Sequence, residues 1–285
     1  MRQIEIKQSG VLFMRYFSDL HTHSTASDGQ YSPSELVRRA KECGIEVLAL
    51  TDHDTVGGLR EAVQAGEEFG LRVIRGIELS AKEYPTFHIL GYNFDVQSPE
   101  LSALCQDMKE GRDARSMRII SFLREKGVEI PLSEVEELAG GNIVGRPHFA
   151  QVLTRRGYVS NNREAFDCYL DTDEFHQRVE RSKPSAKRCV ETIKAAGGKV
   201  SLAHPYQIGV SDGELEGIVK ELASWGLDAI ECWYPKHTPE QQQFYLELAK
   251  KHRLNVTGGS DFHGERVKPE ICLAALELEV DWLFE

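Results

Sequence analysis

The feature that most restricts the fold is an alternation of strand-like and helix-like segments that breaks off once and later resumes. Residues 15–21 ("RYFSDLH"), 46–54 ("EVLALTDHD") and 71–80 ("LRVIRGIELS") read as strands, and a further strand, 87–94 ("FHILGYNF"), follows with no helix between. Helical periodicity fills 32–44 and 57–70; the first of these helices opens on a Ser cap followed by Pro and closes on Gly. Such strand–helix–strand repetition belongs to a parallel sheet or a barrel. From Leu101 the rhythm changes. Residues 101–180 are mostly polar with helical spacing ("LSALCQDMKEGRDARSMRIISFLREKG", "SEVEELAG", "RPHFAQVLTRRG") and carry no strand signal. The alternation then returns, with helices over 185–198, 213–226 and 238–252 and strands over 199–205, 227–234 and 254–264. The expected organisation is an α/β core built from 15–100 and 181–285, interrupted by a helical insertion over 101–180.

A chain of 285 residues can bury a large core of this kind. Its formal net charge of −11 argues against duplex DNA as a partner, because such binding relies on basic residues neutralising phosphates. A small acidic ligand is compatible with that charge, since local groups and metal ions override the global field. The six cysteines (Cys43, Cys105, Cys168, Cys189, Cys232, Cys272) include no C-x-x-C pair. Without a signal peptide in view, they read as free thiols in a reducing cytoplasm. No apolar run is long enough to span a bilayer, so no membrane association is expected. Residues 1–13 read as a leader, with Met14 as an alternative start. Nothing in the sequence sets the oligomeric state.

The chemistry-bearing residues gather at the ends of the expected strands. His21 and His23, in "DLHTHSTASDG", are two apart, so on a strand both face the same way and can reach one ion; Asp28 follows in the loop. His53, Glu78 and His204 close three further strands, and Asp261 and His263 are again two apart in "GGSDFHG". His88 opens its strand and is the poorest fit. In a barrel the C-terminal strand ends form one rim, where sites are built. Six of the ten histidines fall on or beside that rim. Desolvated without cations, such a collection costs on the order of several kcal/mol, and metal binding removes the cost.

Taken singly, each has an ordinary alternative. Asp28 before Gly29 also suits an Asx turn. Asp52 and Asp54 suit either orienting a ligand or making a turn. The weight lies on the set. His176 reads as solvent-facing and His252 as a helix-end residue that offsets the dipole. Cys189, Cys232, Trp225, Trp233 and Trp282 read as packing residues, with Trp233 near enough to a strand end to border a pocket.

The motifs D-L-H-x-H-S…D-G, T-D-H-D, G-x-E, A-H-P and G-S-D-F-H-G, spanning Tyr16 to Gly264, resemble the PHP (polymerase and histidinol phosphatase) family. The resemblance implies a distorted (β/α)7 barrel with a trinuclear centre. His21, His23, Glu78 and Asp261 would hold one metal. Glu78 would bridge to a second, held with His88 and His204, and Asp28, His53 and His263 would hold a third. Some members carry His where this chain has Asp28. The implied cofactors are two to three divalent ions, manganese foremost and zinc or iron otherwise; nitrogen and oxygen donors without thiolate suit all three.

Within the family the layout is similar to small bacterial phosphoesterases with a helical insertion, namely nucleoside 3′,5′-bisphosphate phosphatases and 5′-to-3′ exonucleases acting on short RNA. The implied reaction is hydrolysis of a phosphate ester on a nucleotide or short oligoribonucleotide, with divalent ions supplying hydroxide near neutral pH. Asp261, His204 and His263 would be catalytic, the two histidines helping to protonate the leaving oxygen. The family's R-x-H-F element matches Arg146 and His148 in "RPHF". A guanidinium fork at a helix start suits phosphate; Pro147 also fits a plain helix start, and the family element favours the phosphate contact. Arg181 and Lys183 in "RSKPS", and Lys236 and His237 in "YPKHT", read either as substrate contacts or as solvated loops. Convergence of several of them would mean a substrate with a second phosphate. Two rivals remain. One is histidinol-phosphate phosphatase, against which the insertion and the "RPHF" element argue. The other is a non-catalytic, metal-stabilised module of the kind found inside polymerases.

Overall fold

The computed structural model describes residues 5–6, 12–13, 15–140, 143–179 and 181–284. Of the leader segment, Glu5–Ile6 (β1) and Leu12–Phe13 (β2) pair antiparallel; Met14 lies outside the described residues. The core strands are β3 (Arg15–Thr22), β4 (Val47–Leu50), β5 (Arg72–Ser80), β6 (His88–Tyr92), β7 (Lys199–Leu202), β8 (Ala229–Trp233), β9 (Asn255–Gly258) and β10 (Leu276–Glu279). Helices α1 (Pro33–Glu42) and α2 (Leu59–Phe69) connect the first three. A helical tract follows β6: α3 (Pro99–Glu125), α4 (Leu132–Leu138), α5 (Arg146–Arg155), α6 (Asn162–Ala165), α7 (Asp173–Arg178) and α8 (Ala186–Ala195). α9 (Asp212–Trp225) and α10 (Pro239–His252) complete the alternation. Among the described residues no helix is long and apolar enough to cross a membrane.

The core strands form one sheet of eight, in the order β10-β3-β4-β5-β6-β7-β8-β9, and the sheet curls into a nearly closed barrel. β3 meets the segment that follows β9 through a Thr22–Phe262 bridge and the bonds from His23 N–H to Phe262 O (2.9 Å) and Asp261 N–H to His21 O (2.8 Å). Gly259 permits this closure, since a Cβ there would lie 2.4 Å from the Cβ of His21. Two features depart from a purely parallel alternation. β6 runs antiparallel to both neighbours, and β10, for which the sequence gives no strand signal, pairs antiparallel with β3. The first follows from connection length: residues 81–87 hold no helix, and a short link can only return the chain antiparallel.

Packing follows the two-residue period of the strands. In β4, Val47 and Ala49 join Leu20, Ile74, Leu90 and Tyr92 in a cluster drawn mainly from strands. Leu48 and Leu50 instead join Leu36 and Val37 of α1 and Leu59 and Ala62 of α2. Burial on both faces explains why β4 reads as an unbroken apolar run. The helical tract has its own cluster around Ile119, Phe122, Phe149, Leu153 and Phe175. α3 serves both regions: Leu101, Leu104 and Met108 at its start belong to the cluster under the barrel helices.

Candidate metal centre and its cationic border

The rim is assembled by local features of each strand. In β3 the register against β4 slips between Asp19 and Thr22, an extra residue that re-aims His21 and His23. Their ring centroids lie 5.2 Å apart. Glu78 lies in the middle of the buried half of β5. Because β6 is antiparallel and Ser80 pairs with His88, the first residue of β6 lies at the same rim as the last residues of β5. This resolves the poor fit of His88. His204 and Asp261 adopt positive φ (22° and 57°), backbone conformations costly for non-glycine residues and held here by surrounding bonds.

Glu78 is the hub. His88 Nδ1 (2.7 Å) and His204 Nε2 (3.0 Å) approach its Oε1. His53 Nδ1 (2.9 Å), His23 Nε2 (3.3 Å) and His21 Nε2 (3.4 Å) approach its Oε2. Asp261 Oδ1 lies 3.2 Å from His23 Nε2, and Asp28 Oδ1 lies 3.3 Å from His263 Nε2. Three overlapping groups have donor atoms close enough to share an ion: His21, His23, Glu78 and Asp261; His23, Asp28, His53 and His263; and His53, Glu78 and His88. His204 adjoins the last group through Glu78.

The donor set passes a physical test for cations. His21 Nε2, both nitrogens of His23, His53 Nδ1, His204 Nδ1, Asp28 Oδ1 and Glu78 Oε2 are buried without a hydrogen-bond partner. Buried polar atoms are ordinarily paired, so this many orphans at one point fit metal ligation. Electrostatics agree. Burial opposes ionisation of Glu78, yet His53, His88 and His21 hold its carboxyl well below the usual range. Burial pushes His88 down to about 3 and His263 to about 4, which leaves both imidazoles neutral and their lone pairs available. Burial also disfavours charge on His21, but Glu231 and Glu78 outweigh it and raise this histidine well above its ordinary value.

Three buried carboxylates support these residues. Glu231 in β8 contacts His21 Nδ1 (3.0 Å) and accepts from His204 N–H (2.7 Å). Asp52 accepts from the Ser24 and Ser27 hydroxyls at 2.7 and 2.6 Å, and Asp19 from the Ser260 hydroxyl at 2.6 Å. Sequence reasoning missed Asp19 and Glu231. The signal for Glu231 was a carboxylate inside an otherwise apolar strand, and Asp19 opens the D-L-H motif beside His21.

A cationic border faces this rim. Asp54, buried and at φ 58°, accepts from Arg112 Nε (2.9 Å) of α3 and from the guanidinium of Arg181. Lys183 donates to Pro85 O (2.9 Å); burial and the nearby Arg181 push its ammonium down to about 8. Arg115 stacks over Phe175 with Nε buried and unpartnered, and burial among Arg146, Arg181 and Arg112 pushes it down to about 9. Neither Arg112 nor Arg115 was singled out in the sequence, although "GRDAR" places them one helical turn apart. Arg146, by contrast, is bonded within the helical tract, to Leu170 O (3.1 Å) and Asp171 Oδ1 (2.5 Å). His148 is buried, accepting from Gly145 N–H at 3.0 Å, and senses the charge of Asp28. His237 is buried against Cys232 O (2.9 Å) among Tyr206, Tyr234 and Tyr245, and Lys236 pairs with Glu270 (3.2 Å).

This geometry agrees with the relationships of the chain. The PHP domain model matches residues 19–138. A 5′-3′ exoribonuclease of Haemophilus influenzae is 39% identical over 248 residues, covering 86% of this chain and 89% of that protein. A 3′,5′-nucleoside bisphosphate phosphatase of Chromobacterium violaceum is 32% identical, with 86% of each chain covered. A structure described as a metal-dependent phosphoesterase from Bifidobacterium adolescentis superposes with a TM-score of 0.83 at 30% identity, covering 93% of each chain. The chain belongs to the PHP family. It is an enzyme, a metal-dependent hydrolase of phosphoric ester bonds.

Proposed function

We propose that this phosphoesterase acts on nucleotides that carry a second phosphate: it removes the 3′-phosphate of nucleoside 3′,5′-bisphosphates and trims short 5′-phosphorylated RNA from its 5′ end. The observation that carries this reading is the surplus of half-buried cations beside the His/carboxylate rim. Among the described residues, Asp54 is the one carboxylate that answers the guanidiniums of Arg112 and Arg181, while Arg115 Nε has no partner and Lys183 Nζ meets a carbonyl. Half-buried cations without counter-charge are partly desolvated, and a non-scissile phosphate offsets that cost.

His21, His23, Asp28, His53, Glu78, His88, His204, Asp261 and His263 would hold two to three divalent ions, manganese foremost and zinc or iron otherwise. Bound there, such ions acidify water and neutralise phosphoryl oxygens. The chain's own residues do the rest. Glu231 and Asp19 fix the ligand-bearing strands, and Arg115 and Lys183 orient the remote phosphate. His204, whose Nδ1 has no partner, exchanges a proton with the leaving oxygen, whereas His263 is held neutral and serves as a ligand.

The test compares turnover of a nucleoside 3′,5′-bisphosphate, a short 5′-phosphorylated RNA and p-nitrophenyl phosphate in manganese. A second charge-assisted contact is worth about 100-fold, so kcat/KM for the first two should exceed the third by about that factor. Equal values for all three would remove the reading.

A further inference from the structure

Lys268 has no role in the reading above, yet its ammonium reaches the metal rim. It lies on the loop that follows Gly264, held by bonds from Val267 N–H (3.0 Å) and Lys268 N–H (2.9 Å) to Gly264 O, and from Arg266 N–H to Gln30 Oε1 (2.8 Å). Nζ donates to Asp261 Oδ2 at 2.7 Å, and the side chain keeps 29% exposure. The same oxygen also accepts from the Tyr234 hydroxyl (3.1 Å), which is in turn held by Gln207 Nε2 (3.2 Å). Asp261 Oδ1 is left to face His23 at 3.2 Å and His263 at 3.3 Å.

Tyr234 therefore already orients Asp261, and a neutral hydroxyl does so without adding charge. An ammonium at that position is a poor choice for orientation alone. It sits beside a site built for divalent cations, which repel it. It has three protons, and Asp261 takes one of them. A partly exposed cation with protons to spare, next to metal ligands, calls for an anion on its open side.

We propose that Lys268 binds the scissile phosphoryl group and biases the enzyme toward monoesters. A terminal phosphoryl carries about two negative charges near neutral pH, whereas a diester carries one, so an added cation favours the monoester. This rests on the phosphoester reading of the rim and specifies which ester it prefers.

The test uses full-length protein loaded with manganese, with Lys268→Met and Lys268→Arg beside wild type. Orthophosphate binding is followed by titration calorimetry, manganese by elemental analysis, and turnover with p-nitrophenyl phosphate and bis(p-nitrophenyl) phosphate. In Lys268→Met, orthophosphate should bind about 10-fold more weakly and monoester kcat/KM should fall about 30-fold, with the diester changed by less than about 3-fold. Manganese content should be unchanged, and Lys268→Arg should recover most of the phosphate affinity. Unchanged orthophosphate binding, an equal loss on both esters, or manganese lost in step with rate would overturn the assignment; the last would reduce Lys268 to a support for Asp261. A wild type that cleaves neither ester would overturn the phosphoester reading instead, and the orthophosphate titration would still decide Lys268.

Discussion

The rim and its cationic border bury charge in opposite ways. At the rim, five imidazoles crowd Glu78 at 2.7–3.4 Å, yet many of the polar atoms there lack hydrogen-bond geometry. At the border, most guanidiniums have protein acceptors: Arg112 and Arg181 share Asp54, and Arg146 is bonded to Asp171. On the proposed reading the rim takes up cations from outside, whereas the border holds itself together and, among the described residues, keeps Arg115 and Lys183 in surplus. The difference separates two roles that the proposal assigns: loss of a rim ligand would remove the chemistry, and loss of a border cation would change which substrate is accepted.

The largest expected effect breaks the rim. Glu78→Gln should lower phosphoesterase turnover by about 10³-fold or more, because it removes the carboxylate that belongs to two of the three ligand groups and contacts His23 and His53 of the other. Elemental analysis should find manganese reduced in the same variant, and retention of both metal and rate would contradict the contrast.

Next comes the post that supports the border. Asp54→Asn leaves two buried guanidiniums facing a neutral amide and should destabilise the fold by about 3–5 kcal/mol in denaturant unfolding. Adding Arg112→Met should recover part of that loss. If the single variant unfolds like wild type, the border does not depend on Asp54.

A smaller effect separates surplus cations from engaged ones. Arg115→Ala should raise KM for a nucleoside bisphosphate about 10-fold while p-nitrophenyl phosphate stays within about 2-fold. Arg146→Ala, already bonded to Asp171, should change either by less than about 3-fold. Equal responses of the two variants would erase the distinction.

The smallest effect is on pH dependence. Lys183 loses its proton near pH 8 in the folded protein, so KM for a bisphosphate should rise as pH passes upward through about 8. The unfolded chain keeps that proton until about 10.5, so between those values the unfolded state binds more protons. Stability from this group therefore increases with pH across that window, the opposite sign to a lysine in a salt bridge. Lys183→Met should flatten both trends, as read from KM and from Tm against pH.

The sequence by itself determined the alternation, the break near Leu101 and the residues at the strand ends, because strand period, helix caps and side-chain type are local properties. The same locality explains its blind spots. The direction of β6 depends on a link too short to hold a crossover helix, and β10 acquires its partner only once β3 has an open edge to accept it. Tertiary structure alone decided that His88 reaches the rim, that Glu231 and Asp19 support it from neighbouring strands, and that Arg146 is engaged while Arg115 and Lys268 are not fully so. Whether a charged side chain is left wanting a ligand depends on which acceptors the fold brings within about 3 Å of it, and that distance is not written along the chain.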